Sequence, residues 1–218
     1  MLSSLLSGNI QGFIISLLLS LPIVLLSLSV HETAHGYMAS RLGDPTAKSL
    51  GRLTLNPIKH IDPIGFICMV LFGFGWAKPV PINTRYFKNP KRDMALTALA
   101  GPLSNILLAF VFAALLRAEF FFVDLHVLYD DGSVFYWLFQ FLFLAIRLNI
   151  TLAVFNLIPI PPLDGSRLLL VVLPTDTYFM IMRYEKYIYI VFMVVLFLGF
   201  LDTPINFLSN LIMRFVLF

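Results

Sequence analysis

From Phe13 to Val30 the chain runs eighteen residues without a charged side chain, and it continues directly into His31-Glu32-Thr33-Ala34-His35-Gly36. An apolar stretch of that length belongs in hydrocarbon, where a helix satisfies its own backbone N–H and C=O groups. The first membrane helix is therefore expected over Phe13 to about Met38, with Pro22 placed to kink it. The motif rides near its C-terminal end, close to one membrane face. Positions i and i+4 share a helix face, so His31 and His35 can present two imidazole nitrogens to one zinc ion. Glu32 stands one step round, where a carboxylate can take a proton from water. The pattern should arise by accident in roughly one such chain in a thousand, and a mere polar cap at the interface has no need of this spacing. The motif supplies two ligands; a third must come from elsewhere, with the fourth position left to water.

Composition agrees with the membrane reading. Apolar residues make up 59% and charged residues 12%, against about half and about a quarter in a soluble domain. Nothing points to nucleic acid, because the basic residues form no recognition motif. The single cysteine, Cys68, permits no intrachain disulfide and excludes a cysteine-rich zinc site.

Charge sets the topology. Between Ser40 and Arg92 lie nine basic residues, opposed by Asp44 and Asp62 alone. The positive-inside rule puts this region in the cytoplasm, so the first helix runs inward. Inside it sits an apolar run, Pro63 to Ala77, with Gly65, Gly73 and Gly75 and positive charge on both flanks. It is shorter than the roughly 20 residues of a spanning helix, which suggests a re-entrant element; a short tilted span is the other reading. Its second half, Leu71 to Ile82, ends in Lys78-Pro79-Val80-Pro81 and reads as extended chain, a small membrane-dipping β element.

Two further spans are clear, Ala95–Leu116 and about Val134–Leu157, joined by residues 118–133, which are acidic and suit the outer side. The second span opens with Ala100-Gly101-Pro102-Leu103-Ser104-Asn105, small residues that let a neighbouring helix approach; Asn105 could bond across helices. The third carries Arg147, a functional candidate by its depth but more readily a snorkelling or structurally paired side chain. It returns to the cytoplasmic level and meets Asn156-Leu157-Ile158-Pro159-Ile160-Pro161-Pro162-Leu163-Asp164-Gly165. Three prolines stiffen this arm, and Asp164 at its end is the best third ligand; the alternative is a helix N-cap, and the two roles can coexist. His60, in the basic region, and His126, in the acidic loop, are weaker candidate ligands. Residues 175–186 read as a polar linker, and Tyr187 onward as a last apolar region broken at Asp202-Thr203-Pro204, forming one interrupted span or two half-spans.

With these residues in view the chain resembles the site-2 protease family of intramembrane zinc metalloproteases, in its compact prokaryotic branch without PDZ or CBS domains. Three motifs match in order: His31 to Gly36, Ala100 to Asn105, and Asn156 to Gly165. Gly51-Arg52-Leu53-Thr54-Leu55-Asn56-Pro57, His60-Ile61-Asp62-Pro63 and Phe74-Gly75-Trp76-Ala77-Lys78-Pro79-Val80-Pro81 also look like that branch. The resemblance covers about residues 20–170. It implies one zinc ion held by His31, His35 and Asp164, Glu32 as general base, and Asn156 as a substrate clamp or oxyanion donor.

The expectation is thus an all-α polytopic membrane protein, a helical bundle of about 4–6 spans with a small membrane-dipping β element after the first motif helix. It forms a single membrane-embedded peptidase domain over 1–218, with its catalytic core at about 13–170 and a C-terminal membrane region at about 187–218. The expected activity is zinc-dependent cleavage of transmembrane segments near the cytoplasmic face of a prokaryotic inner membrane. The expected partners are a transmembrane protein substrate and the lipid bilayer. The alternative is a non-proteolytic membrane protein that binds or transports metal, which predicts a polar path on both sides of the ion. Between Phe13 and Val30 the only polar side chains are serines, a poor path.

Overall fold

A computed structural model describes residues 8–72, 75–128 and 130–218. Three long helices organise it: α1 (Ile10–Arg41), α4 (Pro90–Phe122) and α6 (Val134–Asn156). All three are long and apolar enough to cross a membrane, and the chain is a multi-pass, all-helical membrane protein. Each start has a local cause. The Asn9 side chain caps α1 by accepting from the Gly12 N–H at 2.8 Å, Pro90 occupies the first turn of α4 where no N–H is needed, and Ser133 caps α6. Within α1, the hydroxyls of Ser20, Ser27 and Ser29 donate to carbonyls four residues back on the same helix. They are thereby satisfied without water and form no polar path.

The three helices pack on one another around Ile23, Ala109, Phe112, Ala113, Leu142, Ala145, Ile146 and Ile150. Small or slim residues at every fourth position of α4, Gly101, Asn105, Ala109 and Ala113, are buried and let its neighbours come close. Asn105 does not bond across helices: it is 1% exposed, and neither of its amide atoms has a hydrogen-bond partner among the described residues. The helix directions follow from two contacts. Thr97, near the start of α4, meets His35, near the end of α1, so these two are antiparallel. Asp164, just beyond the end of α6, meets His31, so α6 runs with α1, as the charge pattern required.

Between α1 and α4 lie the single turn α2 (Thr46–Ser49) and α3 (Pro63–Phe72). At ten residues α3 is about 15 Å long, half of a hydrocarbon core. Residues 73 and 74 lie outside the described residues. From 75 to 83 the chain has no helix, and the expected β element is not a strand among the described residues. There is one isolated antiparallel bridge, Ile61 to Ala77. Pro79 and Pro81 have no N–H to give a ladder, and the Val80 N–H goes to a side chain, Glu32.

A short helix, α5 (Leu125–Leu128), precedes α6, and four helices follow it: α7 (Gly165–Val172), α8 (Thr175–Arg183), α9 (Glu185–Phe197) and α10 (Asp202–Leu217). Residues 175–183, expected as a linker, are helical, with Tyr178 buried. The last apolar region divides into two helices of 13 and 16 residues. The break falls at Gly199, whose φ of +74° favours glycine; Asp202 already starts α10. Neither helix reaches the length of a full span, so among the described residues three helices are long and apolar enough to cross by themselves. Arg147 is exposed on α6 and forms no ion pair among the described residues.

Candidate active site

The site is assembled from the C-terminal third of α1, the first turns of α4, the end of α6 with its proline arm, and the extended segment after α3. Helical spacing puts His31 and His35 one turn apart on the face of α1 that meets α4, and both are buried. Their Nε2 atoms are 3.0 Å apart. Asp164 Oδ2 lies 3.0 Å from His31 Nε2 and 3.1 Å from His35 Nε2. Among the described residues these three form the one group of histidine, cysteine and carboxylate side chains placed to hold a metal ion.

The chemistry of the donors fits a metal. The His35 Nδ1–H donates to the Thr97 carbonyl at 2.7 Å, which leaves Nε2 with a lone pair aimed at the other two atoms. Three lone-pair atoms so close repel unless a proton or a cation lies between them. The edge of a tetrahedron with metal–ligand bonds of 2.0–2.1 Å is about 3.3 Å, near the observed separations. Asp164 is suited to remain charged. Burial pushes its carboxyl up, but the His31 and His35 imidazoles packed against it outweigh that and hold it well below the usual carboxylate range.

Asp164 arrives on an arm stiffened by Pro159, Pro161 and Pro162, with the Leu163 N–H donating to the Ile160 carbonyl. Gly165 closes the arm: a Cβ there would collide with the Leu157 and Ile158 carbonyls. Asp164 stands at the N-cap position of α7, but its side chain makes no capping bond; it turns to the histidines instead.

Glu32 is beside the metal group, with Oε2 accepting the Val80 N–H at 2.8 Å. Glu32, His31 and Asn156 share a cavity of about 770 Å³ with Trp76, Leu152 and Phe155. Asn156 donates one Nδ2 hydrogen to the Leu152 carbonyl of its own helix, leaving the second free of that bond. α8 and α9 also line the cavity, through Met182, Arg183, Glu185, Lys186, Phe192 and Met193. The two weaker candidates are elsewhere. His60 is buried and donates from Nε2 to the Thr54 carbonyl, and His126 is exposed in α5.

Residue patterns alone missed three contributors. Thr97 orients His35, and Val80 holds Glu32. Gly101 had a signal in its motif, but the neighbour it admits is the histidine pair itself: a Cβ there would overlap His35 Nε2 and lie 2.5 Å from His35 Cε1 and 2.6 Å from His31 Cε1.

The sequence pattern described as Peptidase family M50 matches residues 13–199. The chain belongs to peptidase family M50. This is the site-2 protease family that the motifs resemble, and the match reaches past them into α9, a wall of the cavity. Similar proteins include "Putative zinc metalloprotease YwhC" of Bacillus subtilis, 43% identical over 172 residues, which are 78% of this chain and 76% of that protein. "Putative zinc metalloprotease Rip2" of Mycolicibacterium smegmatis is 33% identical over 147 residues, 65% of this chain and 52% of that protein. "Putative zinc metalloprotease MJ0611" of Methanocaldococcus jannaschii is 36% identical over 107 residues, 49% of each. No solved structure matches the chain.

Proposed function

We propose that this M50 peptidase is a zinc endopeptidase that cleaves transmembrane segments of other membrane proteins near the cytoplasmic face, in a prokaryotic inner membrane. The observation that carries this reading is the convergence of His31, His35 and Asp164 beside Glu32 at the wall of a cavity between membrane helices. His31, His35 and Asp164 would hold one zinc ion per chain, which supplies Lewis acidity that acidifies water and polarises a carbonyl. Glu32 accepts the water proton and returns it to the leaving amine nitrogen. The Val80 N–H occupies Oε2, so Oε1 is the free acceptor. Asn156, with one amide hydrogen uncommitted to Leu152, donates to the carbonyl oxygen as it gains charge. The apolar part of the wall, Phe155, Phe192 and Met193 among it, suits the side chains of an apolar substrate segment, while Arg183, Glu185 and Lys186 make another part of the lining charged.

The test pairs bound metal with cleavage of a model transmembrane peptide, for the purified wild type and Glu32→Gln. Zinc retained with cleavage abolished is the expected result. Undiminished cleavage by Glu32→Gln would overturn the mechanism, and a zinc-loaded wild type that cleaves no transmembrane peptide would favour a metal-binding or transport role.

A further inference from the structure

The segment that touches Glu32 has an unusual hydrogen-bond inventory. In Lys78-Pro79-Val80-Pro81 two of four residues lack an N–H, so the segment cannot be held by an ordinary strand ladder. Every remaining anchor is specific. Lys78 N–H donates to the His60 carbonyl at 2.8 Å, and Val80 N–H donates to Glu32. The Lys78 and Pro79 carbonyls both accept from one atom, Arg52 Nη2, at 2.7 and 3.2 Å. Arg52 is 9% exposed, and these two carbonyls are its hydrogen-bond partners among the described residues.

The other end of this brace returns to the motif helix. Thr33, next to Glu32, donates to the Thr54 carbonyl at 2.7 Å, and the His60 Nε2–H donates to the same oxygen. The circuit is closed: Glu32 and Thr33 on α1, Thr54 and Arg52 on the following loop, Lys78 to Val80 on the extended segment, and back to Glu32. Packing seals it. A Cβ on Gly36 would lie 2.7 Å from Leu53 Cδ2 and 3.1 Å from Val80 Cγ1, so glycine at 36 lets loop and segment seat together on α1.

We propose that Arg52 is a positioning residue for peptide hydrolysis: it fixes the Lys78–Val80 segment so that the Val80 amide holds the Glu32 carboxylate in its working orientation. This gives the Gly51–Pro57 motif a role the metal group does not account for. The proposal rests on Glu32 acting as the base, and its test separates the two ideas.

The full chain in detergent would be prepared as wild type, Arg52→Met, Arg52→Lys, Val80→Pro and the Arg52→Met/Val80→Pro double variant. Amide hydrogen exchange over residues 76–83 is followed in the zinc-free proteins, where no activity is needed. Zinc content, kcat and KM are then measured on a model transmembrane peptide. Arg52→Met should speed exchange at Val80 by about 10-fold or more and lower kcat by roughly 10- to 100-fold, with zinc content and KM little changed. Arg52→Lys, which offers a single point donor, should fall between. The double variant should lose no more than Val80→Pro alone, because both act through one amide. Unchanged exchange at Val80 in both Arg52 variants, or kcat losses that multiply in the double variant, would overturn the proposal. If Glu32→Gln cleaved normally while Arg52→Met still freed Val80, the base assignment would fail and the brace would remain as structure alone.

Discussion

Replacing Gly101 by alanine should damage metal binding far more than folding. The added methyl would fall 2.5 Å from His35 Cε1 and 2.6 Å from His31 Cε1. Relaxed carbon contacts are about 3.5 Å, so something must yield by about 1 Å. Two responses are open. Either the imidazoles swing and the donor triangle of 3.0–3.1 Å spreads, or α4 backs away and stretches the His35–Thr97 bond that sets the tautomer. Each degrades the ligand set. Overpacking costs about 1–3 kcal/mol, but alanine gains about 1 kcal/mol over glycine inside a helix, so the net stability loss is about 0–2 kcal/mol. Zinc affinity should fall by about 10- to 100-fold, and cleavage at saturating zinc by a similar factor. Competition with a chromophoric chelator reads the affinity, and thermal unfolding of the zinc-free protein reads the stability. Wild-type zinc affinity in Gly101→Ala would refute the argument, since the methyl has no other place to go.

Three more outcomes follow from the same geometry. Asp164→Asn should bind zinc at least about 10-fold more weakly, because the neutral amide loses the charge that His31 and His35 stabilise; metal analysis after dialysis checks it. Asn156→Ala should lower kcat by roughly 100-fold while zinc content stays at the wild-type level, as removal of one oxyanion donor predicts. Asp44 is fully buried and accepts from the Thr46 hydroxyl and N–H and from Asn83 N–H at 2.6 Å. Burial pushes its carboxyl up, but these bonds outweigh it and leave the value below normal. A depressed carboxylate stabilises the fold above its unfolded value, about pH 4, and that stability is lost as pH falls through the folded value. Asp44→Asn should therefore cost about 1–3 kcal/mol near neutrality, with the gap to wild type narrowing in acid, as read from denaturant or thermal melts at a series of pH values.

Much of the site is legible in the residue pattern alone. His31 and His35 are four residues apart with Glu32 between them, and helical periodicity places all three. Asp164 is 129 residues beyond His35; the proline-stiffened arm after the third span makes it the best candidate for a third ligand, and the resemblance to the site-2 protease family points to it more strongly than charge and spacing do. The segment from Leu71 to Ile82 is legible only in part. Its prolines mark the end as non-helical chain, and residues 75–83 carry no helix and only the bridge at Ala77, but the same two prolines argue against a ladder. The partner that the Val80 N–H takes in place of a ladder, Glu32, lies 48 residues away and leaves no trace in the local pattern.

Short-range physics accounts for what a reading of residues can reach: apolar runs that must be membrane helices, a spacing that pairs two histidines on one face, prolines that stop helices, and a charge bias that orients the chain. Which distant groups meet is settled by packing. Nothing in local pattern announces that Thr97 orients His35, that Gly101 makes room for two imidazoles, that α8 and α9 wall the cavity, or that Arg52 reaches two carbonyls ahead of Val80. The reason is physical. A backbone carbonyl, an amide N–H or the empty space beside a glycine is the same in every sequence, and acquires a role only when packing brings a particular side chain against it.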